Sequence, residues 1–107
     1  MKIRVYKRIR DNVYDVLLRT VEWAPSDIAL FRKFGEPEVN VGVGEEVKFA
    51  KVMTEFPVRA TFSEGSADEA EFIAEEWKDE IIARIKEAVL SMRQLSDGFS
   101  GEEVHMV

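Results

Sequence analysis

Four groups of residues have types and spacings that could carry chemistry. The largest is an acidic block, Asp68, Glu69, Glu71, Glu75, Glu76, Asp79 and Glu80. Clustered carboxylates can exchange protons or hold a hard cation. At helical spacing, Glu71, Glu75 and Asp79 form one stripe away from the apolar face, where water would keep their acidity ordinary. The block therefore reads as a solvated helix face, with a weak cation site or an acidic docking surface as the functional alternatives. The second group is Lys2, Arg4, Tyr6, Arg8 and Arg10, which share one side of an alternating segment. Cations around an aromatic ring suit an anion, and single-stranded nucleic acid in particular. On an edge strand, the same charges would also discourage aggregation.

The third group is Val41-Gly42-Val43-Gly44. It lacks the third glycine and the helix start of a dinucleotide fingerprint, and Glu45 and Glu46 would repel a pyrophosphate, so it reads as a turn or bulge. The fourth is His105, the single histidine, in a segment that reads as a loose tail. The chain has no cysteine, which removes disulfides, thiolate metal sites and cysteine nucleophiles. No serine has a base placed to activate it. These residues define no catalytic constellation and call for no cofactor and no metal.

The elements that must position these groups follow from periodicity. Ile3, Val5 and Ile9 alternate with the basic residues, as in a strand with one buried face, and Lys7 interrupts that face. Asp11-Asn12 suits a two-residue hairpin loop. That loop sets a register with Arg8 opposite Asp15, Tyr6 opposite Leu17, Ile9 opposite Tyr14 and Val5 opposite Leu18. A second strand is then expected from Val13 to Trp23; Val13, Val16, Leu17, Thr20 and Val21 also fit a helical stripe, but the hairpin register explains more residues. A short helix is expected over 27–34, with Ser26 as its N-cap and Gly35 at its C-terminal end. Val39, Val41 and Val43 have strand spacing. Residues 46–54 fit either a strand or a helix, and the strand is preferred. Phe56-Pro57 breaks the run before a last strand over Val58–Phe62. Ser66-x-x-Glu69 is a capping box that opens a long helix ending near Leu95. Its core face collects Ala70, Ile73, Ala74, Trp77, Ile81, Ile85, Ala88, Met92 and Leu95, widened by Ile82 and Val89. Phe72, Ala83 and Leu90 fall on the opposite side, either as isolated exposed apolar residues or as a second apolar stripe that could touch another protein or a second copy.

The expected fold is α+β. A mostly antiparallel sheet of four to five strands carries one short helix, and a long C-terminal helix packs on one face. Residues 1–95 form a single domain and 96–107 a flexible tail. At 107 residues and 46% hydrophobic content the chain is an ordinary globular domain, and no apolar run approaches the ~20 residues of a membrane span. The basic start carries no apolar leader core, so a cytoplasmic protein is expected. The net charge of -6 divides into +5 over residues 1–10 and -7 over residues 64–80. Such separation could draw copies together. The leading expectation is a non-catalytic protein–protein interaction or assembly subunit, with a protein partner or self-association through Phe72, Ala83 and Leu90. The alternative is a nucleic-acid-binding module using the basic face of the first strand.

Overall fold

A computed structural model describes residues 1–42, 48–63 and 66–98, with only the backbone described for 96–98. The element order is β1 (Lys2–Arg10), β2 (Val13–Val21), α1 (Pro25–Phe34), β3 (Glu38–Asn40), β4 (Phe49–Lys51), β5 (Glu55–Thr61) and α2 (Ala67–Gly98). The fold is α+β with antiparallel pairing, as expected.

The β1–β2 hairpin adopts the register that its loop dictates, from Arg10↔Val13 to Lys2↔Val21. Asp11 and Asn12 both take positive φ, 49° and 59°, which matches the twist of the flanking strands. β2 then pairs with β5, giving a sheet of order β1-β2-β5.

The single four- to five-stranded sheet is not what forms. β3 and β4 make a separate two-stranded ribbon. Each is only three residues long, and they pair with each other rather than with β2 or β5. β5 starts at Glu55 and runs through Pro57, the residue expected to break it. Proline is tolerated there because, among the described residues, β5 pairs only with β2 and is an edge strand. Val41 lies beyond β3, Val43 lies outside the described residues, and within 46–54 only 49–51 are strand.

The core is formed where β2 and β5 face α2. Tyr14, Val16 and Leu18 from β2, with Phe56, Val58 and Ala60 from β5, meet Ala70, Ala74, Ile81 and Ile85 from α2. The strict alternation of both strands puts every second side chain there. α2 has 32 residues, about 48 Å at 1.5 Å per residue, and overshoots the sheet. α1 packs beside its far half. Phe31 is buried, and Trp23 meets it edge-on at 5.1 Å between ring centroids.

The helix ends differ from expectation in detail. α1 begins at Pro25, with Ala24 as its N-cap, so Ser26 lies inside the first turn. Gly35 ends it with φ 87° and ψ 151°, backbone that side-chain-bearing residues avoid. Ser66 immediately precedes α2, but its N–H goes to the Ser63 carbonyl (3.0 Å) rather than into a box with Glu69. Its hydroxyl donates to the same carbonyl at 2.7 Å. α2 continues through Ser96, Asp97 and Gly98, so three residues assigned to the tail are helical. The remainder of that tail, with His105, lies outside the described residues.

Candidate functional site

The acidic block is not uniformly solvated. β1 and β2 bring Lys7 and Tyr14 up to one of its members, Glu75. The Tyr14 hydroxyl donates to Glu75 Oε1 at 3.3 Å, and Lys7 and Lys78 both bind the same carboxylate. These hydrogen bonds, from Lys7 first and then Lys78, hold the Glu75 carboxyl down to about 2. The expectation of an ordinary, open carboxylate is therefore wrong at this position. Burial, helped by the charges of Glu71 and Glu75, pushes the Tyr14 phenol above its usual range, so it stays protonated. The cluster joins β1, β2 and α2. It holds no unpaired base or nucleophile, and its chemistry is that of a structural ion pair. Among the described residues no group of carboxylates or histidines could hold a metal ion.

The basic strand is matched internally as well. Lys2 and Arg4 share Glu22, at 2.9 and 3.5 Å. Arg8 Nε donates to Asp15 Oδ2 at 2.9 Å, and Arg10 lies 3.5 Å from Asp11. Tyr6 is exposed, with the Arg19 guanidinium 5.6 Å above its ring. The register collects Lys2, Arg4, Tyr6, Arg8 and Arg10 on the sheet face turned away from α2, as their alternation requires. Sequence reasoning missed Arg59, which reaches across from β5 so that its Nε donates to Asp15 Oδ1 at 3.0 Å. Burial opposes ionisation of Asp15, but the two arginines outweigh it and lower its pKa. Two shallow depressions flank this triad. One of about 270 Å³ is bordered by Tyr6, Leu17 and Pro57, the other of about 260 Å³ by Arg10, Asp11 and Val13.

Phe72, Ala83 and Leu90 are all exposed, with Phe72 at 70% and Leu90 at 53%. They are not one patch. The 18 residues from Phe72 to Leu90 span about 27 Å of helix, and Glu76, Asp79, Lys86 and Glu87 lie between them on the same side. Val41-Gly42 follows β3, where the Gly42 N–H donates to the Asn40 side chain at 2.7 Å; Val43 and Gly44 lie outside the described residues.

Two further features were missed. Asp27, an acid in the first turn of α1, is buried, with 3% of its surface exposed, and takes a bidentate contact from Arg93 of α2, at 2.9 and 2.8 Å. The Arg93 hydrogen bond, above all, lowers its pKa. No local pattern announces a pair 66 residues apart. The other feature is the helix-side face of β1. α2 lies over β2 and β5, and Ile9 (62% exposed) and Val5 (37%) remain uncovered. Lys7, the break in that apolar row, was its one sequence signal.

Comparison with family models, curated proteins and solved structures finds no match.

Proposed function

We propose that this chain is a non-catalytic protein-interaction or assembly subunit, and that its contact surface is the outer side of β1 rather than the Phe72–Ala83–Leu90 stripe. One observation supports this most directly. Among the described residues β1, a nine-residue strand, is paired on one edge only, and its helix-side face carries Val5 and Ile9 in the open. An exposed strand edge is a template for another strand, whose main chain supplies the hydrogen bonds.

Charge selects the partner. A second β1 docked antiparallel about Tyr6 would set Arg4 against Arg8 and Lys2 against Arg10. Moving the axis to residue 5 sets Lys2 against Arg8, and moving it to residue 7 sets Lys7 against Lys7. Like charges directly opposite are destabilising. The occupant that fits is a strand of a different protein, with acidic residues facing the arginine side and apolar residues facing Val5 and Ile9.

A nine-residue peptide alternating valine and glutamate tests this. It should slow amide exchange along β1, and Ile9→Glu should weaken the effect. A peptide of the same composition with its valines and glutamates in separate blocks should do neither. Equal protection by both peptides defeats the proposal. Light scattering of the chain alone should return the 12.3 kDa monomer mass.

A further inference from the structure

The sheet face turned away from α2 bears six bases, Lys2, Arg4, Arg8, Arg10, Arg19 and Arg59. They share four carboxylates, Asp11, Asp15, Glu22 and Glu55. The sharing is uneven. Arg10 and Arg19 each have one acid to themselves, but Arg8 and Arg59 divide Asp15, and Lys2 and Arg4 divide Glu22. Among the described residues the face keeps two surplus positive charges, one in each of those two clusters, on a chain of net charge -6. Arg8 and Arg4 are four residues apart on β1, about 13 Å at strand rise. Between them lies the row Tyr6, Leu17 and Pro57, which crosses all three strands and is the one apolar row between the charged ones.

The upper cluster is a prepared fork. Asp15 engages only the Nε of Arg8 and of Arg59, one on each carboxylate oxygen. The terminal Nη groups of both have no acceptor among the described residues. Two guanidiniums from opposite edge strands are thus fixed side by side over β2, with donors left for an anion and a depression on either side. Planar, paired guanidinium donors match phosphate geometry better than ammonium groups do.

From this arrangement we propose that the open face of β1-β2-β5 binds single-stranded nucleic acid. The Arg8–Asp15–Arg59 fork takes one phosphate, the Lys2–Arg4 cluster takes a second, and the strip around Tyr6 takes the intervening bases. An acidic polypeptide fits the charge but not the surface. A peptide lying flat on a sheet face finds no partners for its backbone N–H and C=O groups. A nucleic-acid strand has no such ladder to satisfy, and its bases gain by lying on aromatic and guanidinium planes. This face is the opposite one from Val5 and Ile9, so the proposal stands apart from the reading of β1 as a docking edge.

The test is fluorescence anisotropy with a labelled twelve-residue deoxythymidine oligomer, at 20 mM salt and upward. Binding should be saturable and weaken with salt, with a log–log slope near -1.4 for the two phosphates neutralised at roughly 0.7 each. The decisive variant is Arg8→Lys with Arg59→Lys, which conserves charge. Each lysine would turn its single ammonium to Asp15, and affinity should fall at least tenfold. Tyr6→Ser should cost about fivefold, and Phe72→Ser, on the exposed side of α2, should leave the affinity within twofold of the parent. Circular dichroism melts confirm that each variant folds. The absence of binding at 20 mM salt overturns the proposal. So does unchanged affinity in the double lysine variant, which would reduce the fork to diffuse charge. Displacement of the oligomer by poly-L-glutamate at equal charge concentration would assign the face to acidic protein instead.

Discussion

Replacing Glu75 with glutamine tests whether the acidic block helps hold the fold together. The carboxyl titrates near 4.5 when free and about 2 in the folded chain. That difference of about 2.5 pH units corresponds to at most ~3.4 kcal/mol at 1.36 kcal/mol per unit. Glu75 is 26% exposed and Lys7 45%, so solvent screening reduces the expectation to about 2 kcal/mol. Glutamine keeps the shape and can still accept from Tyr14, but it leaves Lys78, only 15% exposed, with Asp79 as its remaining acid partner. Because the folded pKa is depressed, the stabilisation is fully present above the unfolded value and is lost as pH falls through the folded one. At pH 7, Glu75→Gln should lower the urea-unfolding free energy by about 2 kcal/mol and the melting temperature by roughly 8–15 °C. The gap between the two proteins should begin to close below about pH 4.5 and vanish near pH 2. All other carboxylates are common to both, so the difference isolates Glu75. A gap under about 0.5 kcal/mol at pH 7, the range of an ordinary surface substitution, would refute the reasoning. So would a gap that does not change between pH 7 and pH 2.5.

Arg93→Ala should destabilise the chain by about 2–3 kcal/mol in urea unfolding at pH 7. It strands the Asp27 carboxylate in the interior, and the half-exposed arginine places the cost below the 3–5 kcal/mol typical of a fully buried pair. Adding Asp27→Leu should recover much of that loss, because the uncompensated charge is then gone. Phe72→Glu and Leu90→Glu, singly, should each change stability by less than about 0.5 kcal/mol and leave the monomer mass unaltered in light scattering, since both residues stand in water with charged neighbours.

Local rules carried the reading of the fold as far as they reach. The hairpin followed from two residues, Asp11 and Asn12, because a two-residue loop admits a single register and that register put apolar residues opposite one another. The core face of α2 followed from its period, and Ala70, Ala74, Ile81 and Ile85 are buried where that period puts them. What could not be read depends on the sheet order. Asp15 announced its pairing with Arg8, seven residues away through a tight turn. Its second partner, Arg59, becomes a neighbour only because β5 lies beside β2. Pro57 is the same case: it breaks a central strand but not an edge, and sequence does not say which strand is the edge. Val5 and Ile9 have the spacing of core residues. They are exposed because α2 lies over β2 and β5, and within β1 only Lys7, the break in their row, signals it.

The charge separation shows most clearly why a sequence pattern can point in the wrong direction. A +5 strand and a -7 helix start suggest attraction between molecules. In the folded chain β1 lies beside α2, and Lys7 meets Glu75 within one copy. The rest of the strand is matched by Asp11, Asp15 and Glu22, none of them from the acidic block. Most of the separation is therefore matched by ion pairs within the monomer. What remains for a ligand is the local excess where two bases share one acid, and that excess is set by geometry rather than by total charge. Adding acids to α2 would lower the net charge further and should leave the Arg8–Asp15–Arg59 fork intact. Giving Arg59 a carboxylate of its own would change the net charge by one unit and should silence the fork.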